Sequence, residues 1–293
     1  MTEIYGDIKK NRRSSAEIQQ VKEAILRVLS VENPMTVRQV FYQLVSTGAI
    51  AKTEAEYKST VVRLLTEMRR TGEIPYYWIA DNTRFQRKPK TWSSLKTALL
   101  DTARYYRRSL WEEAKVYVEI WLEKDALAGV LYQVTEAWDV PLMVTRGYPS
   151  LSFLHSAAET IKYQNKPTYI YYFGDRDPSG VDIPRVVNEG ISSMAPHIEI
   201  FFEAVAVTPA QIEYLHLPTR PTKTSDSRSK KFSGESVEVD AIPPSILRHL
   251  VNECILKHVD FELLQKIKAI ETEERTLLEQ LSIWYQSQQQ SMS

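Results

Sequence analysis

Residues 171–184 read "YYFGDRDPSGVDIP": an aromatic, apolar run that ends in two aspartates one residue apart, followed by Pro178 and Gly180. A segment suited to burial thus closes on paired negative charge. Side chains at i and i+2 of an extended segment point the same way, so Asp175 and Asp177 can project together, roughly 6 to 7 Å apart at the backbone. Left alone, the two carboxylates repel and one pKa rises. A divalent cation relieves that repulsion, and magnesium prefers hard oxygen ligands, typically one or two carboxylates with waters and phosphate oxygens. The alternative is that Asp177 caps a helix beginning at Pro178, with Gly180 permitting close packing. Taken alone, the segment supports both readings equally.

The flanking sequence places this run in a sheet. From residue 113 the pattern alternates: "KVYVEIWL" as a strand, "EKDALAGVLYQVTEAW" as a helix, "PLMVTR" as a strand, "SLSFLHSAAETIKY" as a helix, "TYIYYFGD" as a strand, "PSGVDIPRVVNEGISSM" as a helix and "IEIFFEAVAV" as a strand. Alternation of this kind argues a largely parallel sheet with helices on its faces, an α/β architecture whose chemistry sits at the carboxyl ends of the strands. Glu123 stands at the end of the first of these strands, where a parallel sheet brings it to the same edge as the Asp pair. Its alternative role is to favour a helix dipole from the first turn, a role Asp125 fits better.

The first 112 residues differ. "SSAEIQQVKEAILRVLS" (14–30) recurs with helical spacing after a serine cap, Thr36 caps "VRQVFYQLVST", and Thr53 with Glu56 forms a capping-box pattern ahead of a third helix that Gly72 stops. "IPYYWIADNTR" then reads as a hairpin wing. Three helices and a wing are the order of a winged helix-turn-helix, a module that usually reads or grips duplex DNA and in some proteins serves only as a protein contact. Residues 1–112 carry 20 Lys and Arg against 12 Asp and Glu, while residues 113–293 carry 17 against 25, so a net charge of zero hides a basic front and an acidic back. On charge alone solvated surface is the simpler reading; with the helical module, Arg63, Arg69, Arg70, Arg84, Arg87, Lys88 and Lys90 become candidate phosphate contacts.

A chain of 293 residues, 43% hydrophobic and 25% charged, is globular. The single Cys254 allows no internal disulfide and no cysteine zinc cage, no apolar run approaches the ~20 residues of a membrane span, and the opening "MTEIYGDIKKNRRSS" has no secretory character, so the cytoplasm is the expected compartment. The division expected is 1–112, 113–259, and 260–293 as a C-terminal helix and disordered tail ("QSQQQSMS"). Residues 216–237 read as a long polar loop, after which "VEVDAIPP" returns to structure.

A strand ending in Glu and a later strand ending in DxD resemble the Toprim pattern of topoisomerases, primases and some nucleases. The chain is most similar to the topoisomerase VI A subunit and the related meiotic double-strand-break proteins: "EKDAL", "TRGYPSLSFL" and "GDRDPSGVDI" resemble their glutamate, glycine-tyrosine-proline and DxDPxG segments, and "VEVDAIPP" resembles a later strand, across roughly residues 36–250. The length is that of compact stand-alone prokaryotic or mobile-element versions. The resemblance implies a winged-helix domain (1–112) followed by a Toprim domain (113–259), and a nucleophile in a segment like "RQVFY": Tyr42, assisted by Arg38. Val37, Val40, Phe41, Leu44 and Val45 form one apolar helix face, with Arg38 and Tyr42 four apart on its flank, a position that does not require burial. The alternative for Tyr42 is a half-exposed packing residue.

What the resemblance implies is DNA cleavage, with or without religation, by attack of Tyr42 on a backbone phosphorus, with Mg2+ (or Mn2+) on Glu123, Asp175 and Asp177. It also implies a homodimer on duplex DNA with sites shared between subunits and, for full topoisomerase activity, a separate GHKL ATPase B-like subunit. No Walker-type loop or ATP site is recognisable in the chain itself. A hydrolytic Toprim nuclease without a covalent intermediate, and a non-catalytic winged-helix DNA-binding protein, are the competing readings.

Overall fold

The computed structural model describes residues 13–80, 89–221 and 235–291. Four strands, β1 (Tyr117–Leu122), β2 (Leu142–Val144), β3 (Thr168–Phe173) and β4 (Ile200–Ala206), form one sheet in the order β2-β1-β3-β4. All three pairings are parallel, as the alternating pattern predicts. Every residue of β1 is buried because both of its faces are covered. Val118, Ile120 and Leu122, with Tyr171 and Phe173 of β3, enter the larger core. Trp121 and Tyr172 turn the other way, against Leu154, Ala158 and Ile161 of α6 (Leu151–Gln164) and Val187 and Ile191 of α7 (Asp182–Met194).

On this second face β1 buries a charge-bearing side chain, Glu119, only 1% exposed. One of its carboxylate oxygens accepts a 2.7 Å bond from the Trp121 indole; the other has no partner among the described residues. Burial pushes its pKa up to about 7, against the bonds from Trp121 and Tyr117. Because the unfolded chain loses this proton near pH 4.5, the folded state binds more protons between the two values, and stability falls as pH rises through that window. Glu119→Gln removes the ionisation: it is expected to unfold like wild type at pH 5 and to be more stable by about 3 kcal/mol at pH 8.5, as measured by urea denaturation. Equal stabilities at pH 8.5 would show that the carboxylate finds solvation in place.

The amino-terminal helices begin where their caps predict. Ser14 and Glu17 bond reciprocally at the start of α1 (Ser15–Val31), and Thr36 and Gln39 do the same for α2 (Val37–Ser46). Thr53 caps the next segment, but Glu56 does not close the box; its carboxylate turns to Arg13 at 2.6 Å. That segment is π-helical over Glu56–Val62 and becomes α3 (Arg63–Arg70). Ile25, Leu29, Val40, Leu44, Leu64 and Met68 lie in the same apolar cluster as the larger face of the sheet.

Three expectations change. The aromatic stretch expected as a wing forms a single 3-10 turn at Tyr76–Trp78, after which Ile79 bridges to Met35 in parallel; its remainder lies outside the described residues. Adjacent Tyr76 and Tyr77 are both exposed, so this stretch lacks the alternation that would seat a strand on a core. "VEVDAIPP" forms no strand either: Val237 bridges to Arg176, and Val239–Ala241 is a 3-10 turn. The end of the chain is helical: α10 (Phe261–Ser291) runs through most of the tail expected to be disordered. It packs against α4 (Leu95–Tyr105), with Tyr106 and Arg108 bonding Glu274 at 2.7 and 2.8 Å and Arg275 donating to the Ala103 carbonyl at 3.1 Å. Between β4 and α10 lie α8 (Pro209–Tyr214) and α9 (Pro244–Leu256); α5 (Ala128–Ala137) follows β1 and packs on α9. No helix among the described residues is long and apolar enough to cross a membrane.

Candidate active site

The carboxyl ends of β1 and β3 bring Glu123 and Asp175 together. Leu122 is in register with Phe173, the Glu123 amide donates to the Phe173 carbonyl at 2.9 Å, and Glu123 Oε2 accepts the Asp175 amide at 2.9 Å and the Tyr172 hydroxyl at 3.4 Å. Gly174 permits this approach, since a Cβ there would collide with the Tyr172 ring and the Glu123 carboxylate. Burial raises the Glu123 pKa, and Asp177 adds to the rise. Asp177 closes a turn rather than capping a helix at Pro178: its Oδ1 accepts the Ser179 and Gly180 amides at 3.0 and 2.8 Å, while α7 begins only at Asp182 with no side-chain cap, because residues 178–181 are spent on the turn. A Cβ on Gly180 would run into the Asp175 carbonyl, so the glycine of DxDPxG folds the loop back onto its own aspartate.

Asp175 does not stand free. Its Oδ1 accepts the Val239 amide at 2.9 Å and its Oδ2 meets Lys124 at 3.1 Å. Burial nevertheless pushes its pKa up to about 7, with Glu123 contributing, against the pull of Lys124. The segment after the polar loop, brought in by the Arg176–Val237 bridge, adds two carboxylates to this edge. Lys124 Nζ lies 3.1 Å from Glu238 and 2.9 Å from Asp240.

Glu238 joins this edge to the tyrosine helix. Arg38 holds it with both arms of its guanidinium, at 2.9 and 3.0 Å, and Arg220 adds a third contact at 2.9 Å. Burial would raise the Glu238 pKa, but the Arg38 bonds and Lys124 outweigh it and hold the carboxyl at about 2. Arg38 also lies over the Tyr57 ring at 5.0 Å. Two adjoining clefts share Arg38, Arg220 and Glu238. One, of about 280 Å³, is lined by Tyr42, Phe41 and Lys52; the other, of about 520 Å³, by Lys124, Asp175, Asp240, Tyr57 and Arg69.

Tyr42 is less accessible than its flank position suggests, with 3% of its surface exposed. Its ring meets Phe41 edge-on at 5.3 Å, and Lys52 sits 5.5 Å above it, held by the Pro218 and Thr219 carbonyls at 2.7 Å each. The Tyr42 hydroxyl has no hydrogen-bond partner among the described residues. Burial and Glu238 push its pKa up to about 12, while Arg38 and Lys124 pull against them.

The basic candidates disperse. Arg69 lines the larger cleft and lies 5.9 Å from the centre of the Tyr76 ring; Arg63 pairs with Glu67 at 3.3 Å and Arg70 is exposed at the end of α3. Lys90 is bound to Asp101 at 2.7 Å and lies over the Trp92 and Tyr105 rings. Arg84, Arg87 and Lys88 lie outside the described residues.

Among the described residues no three His, Cys, Asp or Glu side chains are spaced to hold a metal ion as the side chains stand; Asp175, Glu238 and Asp240 converge on an ammonium instead. Among the described residues Glu123 keeps one carboxylate oxygen free of hydrogen bonds, Asp177 Oδ2 has a single long approach from the Arg220 guanidinium at 3.9 Å, and the two carboxylates interact electrostatically. Two carboxylates with waters suffice for magnesium, so this pair fits such an ion, whereas both Asp175 oxygens are engaged. Sequence reasoning missed Lys52, Lys124, Arg220, Glu238 and Asp240. Their signal was a second i, i+2 acidic pair in an apolar setting, "VEVDAIPP", and a lysine directly after the strand-end glutamate. Compared with known proteins, the chain matches no family model and no curated sequence.

Proposed function

We propose that this chain is a magnesium-dependent DNA-cleaving enzyme, a helical amino-terminal module joined to a Toprim domain, in which Tyr42 attacks a backbone phosphorus. The observation that carries the reading is the pair of clefts sharing Arg38, Arg220 and Glu238, with Tyr42 in one and Lys124 with the strand-end Asp175 in the other. A phosphodiester lying across both would meet the Tyr42 hydroxyl on one side and Lys124 on the other. Arg38 has the part of stabilising charge that develops as the phenol attacks. The balance is a transesterification: the tyrosyl oxygen bonds phosphorus, the 3' oxygen leaves with its electron pair and gains a proton, and the phenol proton passes to solvent. Magnesium, when held by Glu123 and Asp177, supplies charge stabilisation at the phosphate. Cutting both strands calls for two chains, so a homodimer belongs to the proposal.

The test is to quench the full-length chain with labelled duplex DNA and Mg2+ in denaturant. Protein attached to 5' ends supports the reading, and metal-dependent cuts with free ends on both sides replace it by the hydrolytic nuclease. One observation favours that second reading: Tyr42 is only 3% exposed, and burial opposes ionisation of its phenol, so water activated by a metal ion competes with it as nucleophile.

A further inference from the structure

The Lys124 ammonium lies within 3.1 Å of one oxygen from each of three carboxylates, those of Asp175, Glu238 and Asp240. Glu238 is 4% and Asp240 1% exposed. Burying three carboxylates around one point is strongly unfavourable unless a cation occupies that point. Asp240 contributes a second observation: its Oδ1 is buried and has no hydrogen-bond partner among the described residues, so the cage has more oxygen donors than the ammonium satisfies. The cage borders the 520 Å³ cleft, which gives ions a way in.

We propose that Asp175, Glu238 and Asp240 form a cation site in which Lys124 is the resident cation, standing where a divalent ion would otherwise bind. Oxygen distances of 2.9–3.1 Å suit an ammonium; magnesium ligands lie at about 2.0–2.1 Å and calcium ligands at about 2.3–2.6 Å, so contraction of roughly 1 Å or less converts the cage from one occupant to the other. Lys124 differs from a metal in being covalently attached and singly charged, and in bridging, through Glu238, to Arg38 on the tyrosine helix. The site beside it, Glu123 with Asp177, then needs only one divalent ion. The inference deepens the cleavage reading and rests on its view of the sheet edge as a place that handles cations, but its readout is metal stoichiometry and needs no cleavage.

The experiment titrates Mn2+ into the full-length chain and counts bound ions by the loss of the free-ion electron paramagnetic resonance signal. Wild type and Lys124→Arg are expected to bind one ion. Lys124→Ala is expected to bind one more than wild type, and Lys124→Ala with Asp240→Asn is expected to lose the additional ion. If Lys124→Ala folds only in Mn2+, as followed by circular dichroism, the cage is equally supported; a variant that stays unfolded at millimolar Mn2+ overturns it. Equal stoichiometry in folded Lys124→Ala and wild type also overturns it, as does a wild type that already binds two ions. If wild type binds none and Lys124→Ala binds one, the cage stands and the metal assignment at Glu123 and Asp177 falls.

Discussion

Tyr42→Phe is expected to eliminate covalent protein–DNA adducts and to reduce strand breaks by about 10⁴-fold or more, the scale on which removal of a nucleophile acts. The variant deletes one oxygen. That oxygen has no hydrogen-bond partner among the described residues, so its loss should change stability by less than about 1 kcal/mol. The ring contacts with Phe41 and Lys52 persist, and duplex affinity measured by fluorescence anisotropy should stay within about twofold of wild type. A quenched reaction analysed on denaturing gels separates the readings. Breaks at wild-type rate with free 5' ends would remove Tyr42 from the chemistry and leave the hydrolytic nuclease.

Glu238→Gln should be strongly destabilising for so conservative a change. One carboxylate, 4% exposed, receives Arg38, Lys124 and Arg220. Its folded pKa of about 2 lies below the unfolded value of 4.5, so its stabilisation is complete above about pH 5 and is lost as pH falls through about 2. The expected loss at pH 7 is about 3 kcal/mol. It sits at the lower end for a broken buried pair because Arg38 and Arg220 keep about a third of their side-chain surface exposed and can turn to water. Urea denaturation at pH 7 and pH 3 checks both size and sign: the gap between variant and wild type should narrow at pH 3. A gap that is the same at both pH values would mean that packing rather than charge carries the effect. The pH signature is opposite to that of Glu119, whose carboxylate destabilises the fold on ionising.

The parallel sheet was legible because "VYVEIWL" and "TYIYYF" are apolar on both faces, and only strands covered on two sides can use such runs. The approach of Glu123 to Asp175 was legible for the same reason, since parallel strands end at one edge. What was not legible depends on contacts distant in sequence. Glu238 is drawn to the edge by backbone pairing with Arg176 and reaches Arg38 across 200 residues, a relation no local spacing encodes. Burial of Tyr42 is likewise imposed by what packs over α2, namely Lys52 and the 218–219 backbone that holds it, so helical position alone placed it on a flank. The helix at 95–105 escaped notice because two of its leucines, Leu95 and Leu100, are exposed and its cover comes from the far end of the chain.

That last pairing sets an order of events during synthesis. Ala103, whose carbonyl Arg275 caps, leaves the ribosome 172 residues ahead of its partner. At about 5–20 residues per second the interval is roughly 10–30 s, far longer than a helix needs to form. Over the last 69 residues of that interval, from Ala206 at the end of β4 to Arg275, the sheet has every strand it needs while the residues that contact Glu274 and Arg275 still wait for them. The nascent chain therefore completes its α/β core first and seals the α4 side last, when α10 arrives.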